Sequence, residues 1–144
     1  MLQNNFFNSF IELYRPYIKA TKPILDRFDL HSGQWLVLKD IAKQQPTTLV
    51  QISKRRFIEK PTTRQFIKAL SEKGLLTITP GHDKREKVLN LSTEGDVLYQ
   101  QINDEVSRIQ IDLLAHASIN EKQMEQVINM MASLHQIFME EDNR

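Results

Sequence analysis

Two short stretches of this chain concentrate side chains whose chemistry is charge and hydrogen bonding. Residues 83–87 read Asp-Lys-Arg-Glu-Lys, inside ITPGHDKREKVLNLSTEG (78–95), and residues 60–68 read Lys-Pro-Thr-Thr-Arg-Gln-Phe-Ile-Lys. No nucleophile motif, phosphate loop or paired-carboxylate cluster stands out here or elsewhere, which argues against an enzyme. The chemistry these types favour is recognition of a polyanion. Arginine pairs with guanine and glutamine with adenine in the major groove, so Arg64 and Gln65 are candidate base readers. Lys60 and Lys68 are candidate phosphate contacts, which position a protein on a duplex without specifying sequence. Thr62 and Thr63 add hydroxyls to the same face, with Thr63 turned partly toward Phe66 and Ile67.

The net charge of +1 conceals an uneven distribution. Residues 1–53 carry a balance of +2, residues 54–87 of +6 and residues 88–144 of −7. The basic excess therefore falls on the segment that holds both stretches, as a local polyanion-binding surface requires. Lys54, Arg55 and Arg56 lie just ahead of the second stretch, as either a solvated helix end or extra phosphate contacts.

With 144 residues the chain suits one domain, or a small domain with an added oligomerisation element. Cysteine is absent, which removes disulfides, thiolate metal sites and thiol redox sensing. His31, His82, His116 and His135 show no two-histidine ligand spacing, so no metal is expected. There is no run of 18 apolar residues and no signal-peptide layout, so the chain reads as cytoplasmic with no membrane partner.

The elements that must hold the two stretches are mostly helices. Residues 3–28 repeat apolar side chains with helical spacing, and Pro16 and Pro23 predict a kink or break near Tyr14 and Arg15. Ser32 is placed to cap a second helix with Trp35, Leu38, Ile41 and Ala42 inward, ended by Pro46. Thr47 or Thr48 caps a shorter third helix to about Arg56, and a fourth starts near Pro61, buries Phe66, Ile67 and Leu70, and stops at Gly74. Alternation then predicts a hairpin with Leu76, Ile78, Leu89 and Leu91 inward and Pro80-Gly81 in the turn. Its arms pack on helices, and its charged tip is free to reach a phosphate backbone or minor groove. Ser92 or Thr93 caps a long helix striped by Leu98, Ile102, Val106, Ile109 and Leu113. Asn120 and Gln123 form a capping-box signal before a last stripe of Met124, Val127, Ile128, Met131, Leu134 and Phe138. Two such terminal stripes close either as an intramolecular bundle or, since they exceed what the central module covers, as an intertwined homodimer.

The order of LHSGQWLVLKDI, PTTRQFIKALSEKGLL and DKREKVLNLSTEG, with LYRP in the first helix, resembles the MarR family of winged helix-turn-helix regulators over nearly the whole chain. The most specific piece is the wing. Asp83 and Arg85 match the family's Asp-x-Arg, Lys87 its following basic residue, and Leu91, Ser92 and Gly95 its Leu-[Ser/Thr]-x-x-Gly. Three departures stand in the helix-turn-helix: Ile52-Ser53 in place of Leu-Ala, Phe57 in place of a turn glycine, and Glu59 in place of a capping Ser or Asn.

The resemblance implies a mainly α fold with a small β-hairpin wing. It places a winged helix-turn-helix DNA-binding lobe at 31–95 and a dimerisation region at 1–30 and 96–144. The dimer reading puts Phe6, Phe10, Leu13, Ile109, Leu113, Met131, Leu134 and Phe138 at the interface. On double-stranded operator DNA the two recognition helices would enter successive major grooves and the wings minor grooves. Arg85, beside Lys84, would be the wing-tip contact, with Asp83 orienting it or bracing the wing. The resemblance implies a transcriptional regulator without a cofactor, a repressor released by a small aromatic or anionic effector. Tyr14, Tyr17, His31, Trp35 and Lys39 are its candidate lining, or else core and interface side chains. A winged-helix adaptor that binds protein rather than DNA is the alternative.

Overall fold

The computed structural model describes residues 1–142, so the last two residues of the expected 96–144 segment lie outside the described residues. The elements run α1 (Leu2–Arg27), α2 (Ser32–Gln44), α3 (Leu49–Arg56), α4 (Lys60–Glu72), β1 (Leu76–Pro80), β2 (Lys87–Leu91), α5 (Thr93–His116) and α6 (Glu121–Asp142). A mainly helical chain with one small antiparallel hairpin is the expected class.

Polar side chains set most of the boundaries. Thr48 Oγ1 accepts the Gln51 N–H at 3.3 Å while Gln51 Oε1 accepts the Thr48 N–H at 3.2 Å, a reciprocal capping box that starts α3. Asn120 and Gln123 exchange the same pair of bonds at 2.9 Å each and start α6. Ser92 Oγ accepts the Gly95 N–H at 3.0 Å and donates to the Gly74 carbonyl at 2.6 Å, joining the start of α5 to the end of α4. Gly74 itself takes φ +75°, the left-handed step that stops α4. At α2 the cap is His31 rather than Ser32, which is the first helical residue.

Of the kink or break expected in α1, the break is corrected: one helix runs through both Pro16 and Pro23. Each proline deprives a carbonyl four residues back of its donor. Those residues, Glu12 and Lys19, are exposed, as are both prolines, so the carbonyls that lose an N–H partner lie on the solvent side of the helix.

The core gathers Leu25 from α1, Leu30 from the turn after it, Val37, Leu38 and Ile41 from α2, Ile52 from α3, Leu70 from α4, Leu89 from β2, and Ile102 and Val106 from α5. β1 and β2 pair antiparallel, with Leu76 opposite Leu91 and Ile78 opposite Leu89. Thr47 bridges the other side of β2, its N–H and carbonyl bonding Leu89 at 3.1 and 2.7 Å. Only β2 is therefore flanked on both sides. Leu89 is buried as expected, whereas Ile78 is exposed, because β1 is the outer strand of the wing. The start of α5 lies so close to α4's exit that a Cβ on Gly95 would stand 2.0 Å from the Leu75 carbonyl oxygen. α6 buries no residue, and the first sixteen residues of the chain are likewise exposed.

Candidate nucleic-acid interface

α4 and the wing face one another across a cleft of about 970 Å³. Lys60, Arg64 and Lys68, four residues apart on one side of α4, line it with Asp83, Arg85 and Lys87 of the wing. Ile67, Ile78 and Leu89 contribute apolar surface, and the first turn of α3, Thr48 to Gln51, also borders it. Sequence reasoning missed that last segment, which owes its place to the Thr47–Leu89 bridge between residues far apart in sequence. Thr62 and Gln65 are exposed on α4 but do not line the cleft.

Thr63 is corrected. It is fully buried: its Oγ1 accepts from Ser53 Oγ at 2.8 Å and donates to the Glu59 carbonyl at 3.1 Å. A hydroxyl committed in this way fastens α4 to α3 and cannot read a base. The departures in the helix-turn-helix take a defined form. Phe57 adopts φ +53°, ψ +42°, the left-handed conformation usually left to glycine, and Glu59 caps α4 without a side-chain bond.

The basic cluster before the turn divides. Lys54 is exposed. Arg55 binds the Asp40 carboxylate through Nη2 at 2.7 Å and Nε at 3.2 Å, and donates to Thr47 Oγ1 at 2.6 Å. Arg56 Nε donates to the other Asp40 oxygen at 2.9 Å. Arg55 is therefore corrected from a free phosphate contact to a strut between α2 and α3, and Arg56 shares that role. Asp40 was missed by sequence reasoning. The signal was its position among Val37, Leu38 and Ile41 on the buried face of α2, where a carboxylate requires paired charge.

At the wing tip, Asp83 Oδ1 accepts the Arg85 backbone N–H at 3.0 Å, and the Gly81 N–H bonds the Glu86 carbonyl at 2.9 Å. Lys84, Arg85 and Lys87 remain exposed.

Of the five candidate effector residues, the structure brings Trp35 and Lys39 side by side. Trp35 is buried and stacked on Tyr99 with centroids 5.7 Å apart, and Lys39 Nζ lies 5.9 Å from the Trp35 ring. Burial, then the nearby charges of Arg56 and Lys43, lower the pKa of Lys39 below its ordinary 10.5. Tyr17 accepts a bond from Gln110 Nε2 at 2.8 Å, His31 meets Phe66 edge-on, and Tyr14 is exposed. None of the five lines the cleft between α4 and the wing. Of the candidate interface residues, Phe6, Phe10, Leu13, Leu113 and Phe138 are exposed, Met131 and Leu134 are half-buried, and Ile109 packs against its own chain's core.

No family model matches the chain. Over 142 residues it is 48% identical to an HTH-type transcriptional regulator of Staphylococcus aureus (strain MRSA252), covering 98% of this chain and 97% of the relative. The solved structure of native Staphylococcus aureus MarR is 48% identical, with a TM-score of 0.90 over 98% of this chain and 99% of that one. Staphylococcus aureus MarR in complex with salicylate and kanamycin is similar at 48% identity and a TM-score of 0.87, covering 98% and 95%.

Proposed function

The chain belongs to the MarR family of HTH-type transcriptional regulators, and from that premise we propose that it is a homodimeric, sequence-specific DNA-binding repressor released by a small aromatic or anionic molecule. The observation that carries the reading is the cleft, where Lys60, Arg64 and Lys68 of α4 face Arg85 and Lys87 of the wing. A helix inserted in a major groove about 12 Å wide needs cations on its flanks for the phosphates and polar groups at its exposed N-terminal turns for the bases. α4 supplies Lys60 and Lys68 for the first role and Thr62, Arg64 and Gln65 for the second. Arg85, on a loop braced by Asp83, would reach the negative potential of a minor groove.

In this reading residues 31–95 are the DNA-binding lobe, and residues 1–30 and 96 onward join two chains. Exposed Phe6, Phe7, Phe10, Ile11 and Leu13 on α1, Leu113 on α5, and Val127, Ile128 and Phe138 on α6 supply the apolar surface for that contact. Apolar surface on this scale is unusual on a monomer, and a two-fold axis would cover both ends of the chain with one interface. The two recognition helices would then be held at a fixed spacing on the operator. Repression follows from occupying a promoter.

For release, the Staphylococcus aureus relative in complex with salicylate shows the class of molecule to try. An aromatic carboxylate suits a site where Lys39, half-buried beside Trp35 whose ring stacks on Tyr99, offers a cation next to an aromatic face. Such a molecule releases DNA only to the extent that it prefers a helix spacing that the operator does not. The test is selection of duplexes from a random-sequence pool, followed by titration of salicylate against the selected complex. A recurrent selected sequence, with two chains per duplex and dissociation on adding salicylate, is the expected outcome. A pool that stays random would refute DNA reading, and a complex indifferent to salicylate would refute this effector class.

A further inference from the structure

Phe57 combines two features that its surroundings on α3 and α4 do not require. Its backbone is left-handed, a conformation in which a Cβ crowds the carbonyl and which Asp29, Gly74 and Ser118 also adopt; unlike those three, Phe57 carries a large ring there. Its ring is also half exposed rather than packed in the core. The ring's partner is His135 of α6, met edge-on with centroids 5.9 Å apart and an interplanar angle of 86°. α6 fully buries no residue, and this contact links it to the turn that joins α3 to α4.

We propose that Phe57 and His135 form a latch through which α6 holds the helix-turn-helix turn in its DNA-reading geometry, an inference that rests on the DNA-binding function proposed above. On the inner side of the turn, the buried Ser53–Thr63 hydrogen bond fixes α4 to α3, and the Phe57 and Ile58 amides both bond the Ser53 carbonyl. On the outer side, the ring of Phe57 against His135 fixes the same turn to α6. A shift of α6 at the dimer interface is then felt at the start of α4, where Lys60 and Arg64 stand. The strained backbone at Phe57 has a purpose in this scheme: only a residue with a ring at that position makes the outer contact, and glycine would remove it.

The experiment compares the full-length parent with Phe57→Gly, His135→Ala and the double variant, using the duplex selected by the parent. Phe57→Gly relieves the left-handed backbone, so it keeps or raises the melting temperature and separates the latch from a folding defect. Each single variant is expected to bind that duplex about 3- to 10-fold more weakly, as loss of one edge-to-face pair implies. The double variant is expected to lose no more than either single one, because both remove the same contact. Undiminished affinity in both single variants, or losses that multiply in the double, would overturn the latch. Amide hydrogen exchange provides a reading without DNA: Phe57 and Ile58 should exchange faster in His135→Ala than in the parent. Unchanged exchange rates overturn the latch, whereas a parent that selects no duplex overturns the DNA-binding function instead.

Discussion

Replacing Asp40 by alanine isolates the strut that holds α3 against α2. The carboxylate is 2% exposed and receives three close bonds, from Arg55 Nη2 at 2.7 Å, Arg55 Nε at 3.2 Å and Arg56 Nε at 2.9 Å. Removing one partner of a buried ion pair typically costs about 3–5 kcal/mol, mostly because the remaining charge stays desolvated. Here the guanidiniums left behind are 28% and 31% exposed and regain some water, so about 2–3 kcal/mol is the expected loss. With a urea m-value of about 1–3 kcal/mol/M, that loss moves the unfolding midpoint down by roughly 0.7–3 M. Asp40→Asn keeps the shape and one acceptor and should fall between the parent and Asp40→Ala. Urea titrations followed by circular dichroism, at one fixed protein concentration, give all three midpoints. An alanine variant within about 0.5 kcal/mol of the parent would refute the reasoning, since surface positions behave that way.

Four further outcomes follow from the geometry. Gly95→Ala places a methyl where the Leu75 carbonyl oxygen stands 2.0 Å away, so α5 must shift from the wing and the melting temperature should drop by several degrees. Lys39 has its pKa lowered chiefly by burial, so between that lowered value and 10.5 the unfolded chain binds more protons than the folded one, and stability rises with pH across that window. Lys39→Met should accordingly raise the melting temperature at pH 7, with the gain shrinking as pH approaches 10.5; an equal gain at every pH would count against burial of the charge. Arg85→Ala should weaken binding to the selected duplex about tenfold with little change in melting temperature, while Arg64→Ala should relax preference at one base position.

Much of the fold was legible because its signals are local. Thr48, Ser92 and Asn120 cap the helices they precede, Gly74 stops α4, and the charged run at 83–87 sits at a hairpin tip. The misreadings involve partners distant in sequence or the solvent side of an element. Thr63 has a polar side chain on an otherwise exposed N-terminal turn, and its burial depends on Ser53, ten residues earlier and across the turn. Arg55 looked like a free cation because nothing beside it in the sequence neutralises it, whereas Asp40 arrives from α2 only when the helices pack. Pro16 and Pro23 were read as a kink or break, yet a helix whose outer side faces water continues through them. Of the candidate site, the cations of α4 and the wing were evident from their types. Their convergence on one cleft, and the first turn of α3 at its border, required the fold.

The central claim is that the cleft binds operator DNA as part of a dimer, and the most direct measurement is the affinity for the selected duplex against a scrambled one over a range of salt. Each chain brings five cations to the cleft, Lys60, Arg64, Lys68, Arg85 and Lys87. With Arg64 on a base edge, the other four remain for the backbone, and at about 0.9 per neutralised phosphate one lobe gives a slope of log K against log salt near −3.6 and two lobes a slope near −7.2. A slope between about −3.6 and −7.2, two chains per duplex and clear preference for the selected sequence are the predicted result. Equal, weak binding of both duplexes at every salt concentration would contradict it.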